Sequence, residues 1–176
     1  MKATQTSNIF QPRQVTGLRI YLTPDQQKFA TFLRHGMEGY RQLGENGSFG
    51  TLLTGAAGTS KSFFIKHLAE LTRADYYEQE AFSSPEEVTA LFNAVRNRQK
   101  SKKSDDPTAA IIALNDIDYI GKRTEGANLN FRPILSTLLH ESHNDETGKN
   151  KGIFLCADTN IPENIDDALR RPPRIT

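Results

Sequence analysis

Residues 50–62 read Gly50-Thr51-Leu52-Leu53-Thr54-Gly55-Ala56-Ala57-Gly58-Thr59-Ser60-Lys61-Ser62. An apolar run stops at Gly55, six residues before the pair Lys61-Ser62, and an amphipathic stretch, Phe63 to Leu71, follows. The spacing nearly matches the phosphate-binding pattern G-x-x-x-x-G-K-[ST], with Ser60 where the second glycine stands. The pattern has a mechanical basis. Backbone N–H groups of such a loop, and of the helix it opens, wrap phosphate oxygens. Lys61 is then placed to reach the β- and γ-phosphates, and the Ser62 hydroxyl to ligate Mg²⁺. Gly55, Ala56, Ala57, Gly58, Thr59, Ser60, Lys61, Ser62 and Phe63 therefore form the candidate nucleotide-binding stretch. An ordinary strand–turn–helix with small residues in its turn has the same outline, so the surrounding chain must decide.

Working outward, residues 1–16 read as an extended arm. Thr23-Pro24-Asp25-Gln26 is a helix start in which Thr23 caps, Pro24 suits the first turn and Gln26 completes a capping box. Phe29, Phe32, Leu33, Met37, Tyr40 and Leu43 recur at helical spacing, with Gly44 or Gly47 as the stop. A strand over Phe49–Thr54 enters the loop and a helix over Ser62–Thr72 leaves it. Ala74–Glu78 is a short strand. Ser84-Pro85-Glu86-Glu87 is a second capping box, opening a helix to about Arg98. Ala109–Leu114 and Gly152–Ala157 are apolar without alternation, as parallel strands covered on both faces are. Phe131–Ser142 reads as helix. Strands alternating with helices predict an α/β fold, three layers with a parallel sheet flanked by helices. Ligands in such sheets bind at the carboxyl ends of strands, where the loop sits.

Composition narrows the classes. A chain of 176 residues with 36% hydrophobic content suits one domain. The net charge of +1 gives no global basic field for nucleic acid. The single cysteine, Cys156, excludes an internal disulfide and reads as a core residue of a reducing compartment. No segment has the roughly 18–20 apolar residues of a membrane span, and Met1–Gln14 has no apolar signal core. The expected localisation is cytoplasmic, with no membrane contact.

Two further landmarks supply context. The strand Ile111-Ile112-Ala113-Leu114 ends in Asn115-Asp116-Ile117-Asp118. A P-loop NTPase needs a carboxylate at this point for Mg²⁺, and a group beside the γ-phosphate to act on water. The next strand ends in Ala157-Asp158-Thr159-Asn160, placing Asn160 to orient a water or touch the γ-phosphate.

With these residues in view the chain resembles the large α/β subdomain of AAA+ ATPases, nearest to the AAA branch. The family's second strand motif runs through four apolar residues into Asp-Glu-Ile-Asp; here Ile111 to Asp118 reads Ile-Ile-Ala-Leu-Asn-Asp-Ile-Asp. Tyr119-Ile120-Gly121-Lys122-Arg123 and the helix Ile134–Leu139 are also similar to the family. Ala157–Asn160 resembles its sensor-1 turn, and Ala168-Leu169-Arg170-Arg171-Pro172-Pro173-Arg174 its arginine-finger stretch. The resemblance runs over roughly residues 49–176. It implies ATP and Mg²⁺ as cofactors. Gly55, Gly58, Ser60, Lys61 and Ser62 then bind the triphosphate. Asn115 stands for the Mg²⁺-associated aspartate, Asp116 for the catalytic glutamate and Asn160 for sensor 1. Arg171 and Arg174 stand for fingers that enter a neighbour's site. Trans-acting arginines imply a homo-oligomer, a ring or helix and commonly a hexamer, acting on a protein or nucleoprotein client. The expected division is an arm over 1–16 and one subdomain over 17–176, with the family's helical lid absent.

Departures from the family pattern shape the expectation. Ser60 adds a Cβ; if its φ is positive the strain is about 1–3 kcal/mol, unless the loop shifts to relieve it. Asn115 lacks the aspartate's charge. Asp116 is one methylene shorter than glutamate, and about 1 Å of misplacement can slow a reaction about 10²-fold. A shifted register would instead make Asp116 the metal residue and Asp118 the base. Together these changes predict nucleotide binding with slow or absent hydrolysis, or a non-hydrolysing assembly subunit. Phe82, the sole aromatic where the family carries a pore loop, reads as packing under the Ser84 cap. His140-Glu141-Ser142-His143 lacks the spacing and third ligand of a metal motif. Arg96, Arg98, Lys100, Lys102 and Lys103 read as a solvated loop, with nucleic acid as the weaker alternative. Linkers in the family fold over the adenine, and for Phe10–Gly17 that is the weaker reading. A small-molecule kinase fits the length, but Asn160 and the Arg-Pro-Pro-Arg run argue against it.

Overall fold

The computed structural model describes residues 10–43, 49–101, 109–118, 131–143 and 149–170. The elements, in order, are α1 (Pro24–Leu43), β1 (Phe49–Thr54), α2 (Lys61–Thr72), β2 (Asp75–Gln79), α3 (Pro85–Ser101), β3 (Ala110–Leu114), α4 (Phe131–Ser142), β4 (Ile153–Thr159) and a 3₁₀ turn at Pro162–Asn164. The four strands are all parallel, in the order β1-β4-β3-β2. β4, the last of the described strands, therefore lies between β1 and β3. That position governs the site.

Strand periodicity of two sorts the sheet's side chains onto two faces. Tyr76, Ile111, Ala113, Phe154 and Cys156 pack with Phe64, Ile65 and Leu68 of α2 and with Ala30, Leu33 and Met37 of α1. Tyr77, Ile112, Leu114, Leu155 and Ala157 pack with Val88, Leu91, Phe92 and Val95 of α3 and Ile134 and Leu138 of α4. This is the three-layer α/β arrangement that the alternating pattern predicts. β3 and β4 are buried along their whole length, as strands covered by helices on both faces must be.

Local signals account for the helix starts. The Thr23 N–H donates to Gln26 Oε1 at 2.9 Å and the Gln26 N–H to Thr23 Oγ1 at 3.3 Å, a closed capping box. At α3 the Glu87 N–H donates to Ser84 Oγ at 3.4 Å, while the Glu87 carboxylate accepts from the Ser83 N–H at 2.7 Å, one residue before the expected partner. Arg98 and Lys100 suit the negative end of α3, which runs on to Ser101 rather than stopping at Arg98. On α1 the buried stripe is Ala30, Leu33 and Met37. Phe32 lies about 100° from Leu33 around the helix and is exposed, while Phe29 stacks on Phe64 at 5.8 Å. The side chains of Tyr40 and Leu43, and the stops at Gly44 and Gly47, lie outside the described residues.

β4 extends two residues beyond the expected end at Ala157, so Asp158 and Thr159 belong to the strand and pair with Leu53 and Thr54 of β1. The described part of the arm lies against the sheet. Arg13 bonds Tyr76 in an antiparallel bridge, with N···O distances of 2.8 and 3.1 Å, along the outer edge of β2. Gln14 donates to Asp75 at 3.1 Å and the Leu18 N–H to Glu70 in the last turn of α2 at 3.3 Å. The arm thus shields an open sheet edge, running from the carboxyl end of β2 at Phe10 to the last turn of α2 at Leu18. Phe82 is buried against α3, as the packing reading required.

Candidate functional site

The loop between β1 and α2 turns through Gly55 (φ 154°) and Gly58 (φ 78°), both in the region that favours glycine. The Thr59 hydroxyl donates to the Ala56 carbonyl at 2.8 Å, and the Phe64 N–H to the Ser60 carbonyl at 2.9 Å. Ser60 sits at φ 63°, ψ 28° and its side chain makes no capping bond. The loop therefore keeps the left-handed backbone that a glycine would adopt. The strain is about 1–2 kcal/mol; the loop does not shift to escape it.

Lys61 is held at the loop mouth. Its ammonium donates to the Gly55 carbonyl at 2.9 Å, the Ala56 carbonyl at 3.0 Å and Asn160 Oδ1 at 2.7 Å. Asn160 in turn donates through Nδ2 to Asp116 Oδ1 at 3.0 Å. An ammonium only donates and a carboxylate only accepts, so the Asn160 amide has one consistent orientation. Three predicted residues from α2, the end of β4 and the turn after β3 are thereby brought together. Asp116 is strained as well, with φ 48°. Partial burial, then the charges of Asp158 and Asp118, push its carboxyl above the ordinary range, against the pull of Lys61.

Ser62 and Asp116, two of the expected metal residues, both contact Asp158. Ser62 Oγ donates to Asp158 Oδ2 at 2.6 Å, and the Asp116 N–H donates to Asp158 Oδ1 at 2.8 Å. Asp158 is 1% exposed. Asn115, assigned from the sequence to the Mg²⁺-associated position, instead donates from Nδ2 to Glu78 Oε1 at 3.0 Å. Its Oδ1 is buried with no hydrogen-bond partner among the described residues. Asn115 ends β3, whose neighbours are β2 and β4; Asp158 lies on β4, beside the strand that enters the loop. Glu78 is anchored by Lys66 of α2 at 2.8 Å. Burial raises the Glu78 carboxyl, but the Lys66, Asn115 and Tyr76 contacts outweigh it and leave it below the ordinary range. Asp118 is 5% exposed and accepts from the Thr159 hydroxyl at 2.7 Å, a buried tie to β4.

Asp158 is the residue that motif reading missed. A carboxylate within an apolar strand, two positions before Asn160, was the available signal; its meaning needed the strand order. Beside the loop, Gln26, Phe29, Leu53, Thr59 and Phe64 line a hollow of about 240 Å³. A larger hollow, about 690 Å³, lies between Phe10–Pro12 and α3, on the other face of the sheet from Lys61.

Other sequence features resolve into structure. Arg96 pairs with Glu141 at 2.7 Å with both side chains 11% exposed. Arg98 pairs with Asp75 at 3.4 Å. Two members of the basic run thus serve the fold; Lys102 and Lys103 lie outside the described residues. Glu141, in the half metal motif, is the partner of Arg96, and among the described residues no group of three or more His, Cys, Asp or Glu is disposed to hold a metal ion. Cys156 is fully buried, which pushes its thiol up to about 12. Tyr119–Arg123 and the finger candidates Arg171 and Arg174 also lie outside the described residues.

Comparison with known proteins agrees with this geometry. The family described as "ATPase family associated with various cellular activities (AAA)" matches residues 51–176. Similar proteins include the ATP-dependent zinc metalloprotease FtsH of Lancefieldella parvula, 32% identical over 84% of this chain, and that of Clostridium perfringens, 31% identical over 80%. The chain spans only 23% and 20% of those proteins' lengths. The matched segment begins in the strand that enters the loop and contains the Lys61, Asp116 and Asn160 cluster, so the chain belongs to the AAA family of ATPases.

Proposed function

We propose that the chain is an ATP- and Mg²⁺-binding AAA+ module that hydrolyses ATP slowly and acts through nucleotide-dependent self-association on a protein or nucleoprotein client. The observation that carries the reading is the Lys61–Asn160–Asp116 chain at the mouth of a left-handed loop. A cation, an amide and a carboxylate joined in this order are the groups that would serve a triphosphate and its attacking water. The oxygen donors gathered nearby, the Ser62 hydroxyl and the Asp158 and Asp116 carboxylates, have the hard chemistry that suits Mg²⁺. When bound, Mg²⁺ neutralises phosphate charge. Lys61 would hold the phosphates, Asn160 would orient water, and Asp116 would accept its proton.

Slow turnover is favoured by the state of Asp116. Its carboxylate is short, strained at its backbone and already engaged by Asn160. The same facts favour a second reading, a non-hydrolysing assembly subunit. Self-association rests on the finger-like positions Arg171 and Arg174, read as acting across a subunit interface. The proteolysis named in the FtsH relatives is not part of this proposal.

The test is calorimetric titration with ATPγS, paired with phosphate release from ATP, on the native chain and on Lys61→Ala. Binding that is lost in Lys61→Ala, with little phosphate released, supports the proposal. Rapid turnover abolished in Asp116→Ala would overturn the slow-hydrolysis part. No binding of either nucleotide would overturn the whole. Arg171→Ala and Arg174→Ala should leave affinity intact while lowering turnover and the nucleotide-dependent mass measured by light scattering.

A further inference from the structure

We infer that the carboxylate associated with Mg²⁺ in this chain has moved one strand across the sheet: Asp158 of β4, not Asn115 at the end of β3, tethers Ser62 and answers the metal. The inference rests on the nucleotide-binding reading above and assigns its metal residue.

Three observations carry it. The Ser62 hydroxyl, the loop's metal-ligand position, donates to Asp158 Oδ2 at 2.6 Å, a short hydrogen bond. Asp158 Oδ1 accepts the Asp116 N–H, so one buried carboxylate fixes both the metal-ligating hydroxyl and the turn that carries the catalytic carboxylate. Asn115 does not meet Ser62: its Nδ2 donates to Glu78 on the opposite side of β3, and its Oδ1 has no hydrogen-bond partner among the described residues.

The geometry follows from the sheet. Alternation puts Glu78, Asn115 and Asp158 on the same face as Tyr76, Ala113 and Cys156, the face covered by α2. Within that row the strand order runs β4, β3, β2 away from β1. Only Asp158 adjoins β1, pairing with Leu53. An aspartate at position 115 would stand against Glu78 at the distance now spanned by a hydrogen bond, two carboxylates in contact. With asparagine there and aspartate on β4, the row keeps a carboxylate beside the loop and removes that repulsion. The Asn115 and Asp158 identities are thus coupled.

The experiment measures ATPγS affinity with and without Mg²⁺, using the whole chain and its variants. In the native chain Mg²⁺ should strengthen binding. Asp158→Asn, which preserves shape, should cut that strengthening about 10- to 100-fold, the usual range for losing an outer-shell partner of a metal. Its metal-free affinity should stay within about threefold of native, because the shape-preserving change leaves the loop's phosphate contacts in place. A merely structural role for Asp158 would lower both affinities together. Asn115→Ser should keep the full Mg²⁺ strengthening, and this arm stands even if Asp158→Asn fails to fold. Mn²⁺ binding to the nucleotide complex, read by electron paramagnetic resonance, should weaken in Asp158→Asn and not in Asn115→Ser. Undiminished Mg²⁺ strengthening in Asp158→Asn, or its loss in Asn115→Ser, overturns the inference while leaving nucleotide binding standing. Absence of ATPγS binding with and without metal overturns the functional reading itself.

Discussion

Replacing Ser60 by glycine should stabilise the protein without improving its affinity for nucleotide. Ser60 occupies φ 63°, ψ 28°, a left-handed conformation its Cβ disfavours, and its hydroxyl makes no capping bond that would be lost. Relief of the left-handed penalty contributes about 1–2 kcal/mol. Glycine's greater freedom in the unfolded chain returns about 0.4–1 kcal/mol of it. The net gain lies between about 0 and 1.6 kcal/mol with a midpoint of about 0.8, a rise of about 2–3 °C in the melting midpoint for a domain of this size. Differential scanning calorimetry on native, Ser60→Gly and Ser60→Ala chains measures it. Alanine keeps the Cβ and should lie within about 0.5 kcal/mol of native. Arg73 supplies an internal standard, because it ends α2 at φ 54°, ψ 33°. Arg73→Gly should gain by a similar amount. ATPγS affinity in Ser60→Gly should stay within a few-fold of native, since the loop already has the backbone a glycine would give it. A Ser60→Gly chain no more stable than native, beside an Arg73→Gly chain that gains, would refute the strain argument. A tenfold rise in affinity would correspond to about 1.4 kcal/mol and would show that Ser60 distorts the loop.

Asn115→Asp, which restores the family residue, should destabilise the protein by about 1.5–3 kcal/mol near neutral pH, because a hydrogen bond to charged Glu78 becomes a contact between two anions; urea unfolding checks this. Glu78→Gln should cost stability above the ordinary carboxyl range near about pH 4.3. Because the folded Glu78 carboxyl is held below that range, the difference from native should shrink only as pH falls through it, as melting temperatures across acid pH will show. Glu141→Ala should cost about 3 kcal/mol by leaving Arg96 without its counterion between α3 and α4, read by chemical denaturation.

The sequence was most legible where structure is local. Thr23 with Gln26, and Ser84 with Glu87, specify helix starts within four residues of chain. Unbroken apolar runs at 110–114 and 153–157 declare buried parallel strands for the same reason. Lys61, Asn160 and Asp116 were legible because their order along the chain fixes their strands. The orientation of Asn115 was not legible, since it depends on Glu78 from β2, 37 residues earlier. The place of the arm was equally hidden: residues 13–18 follow partners at Asp75, Tyr76 and Glu70 that no periodicity marks. Asp158 shows the same limit at the site. In one dimension it is a carboxylate beside a turn; only the placement of β4 next to β1 makes it the nearest anion to Ser62.

The three departures from the family motif are therefore not of one kind. At Ser60 the backbone geometry persists and only its energy changes. At Asn115 the missing charge reappears on the adjacent strand, in contact with the hydroxyl it would have served. At Asp116 nothing compensates: the carboxylate is shorter, sits on a strained turn and is already held by Asn160. Binding depends on the first two positions and proton transfer on the third. A site altered in this pattern should hold nucleotide and metal well while turning over slowly. Equal weakening of both would mean that Asp158 does not supply what Asn115 lacks.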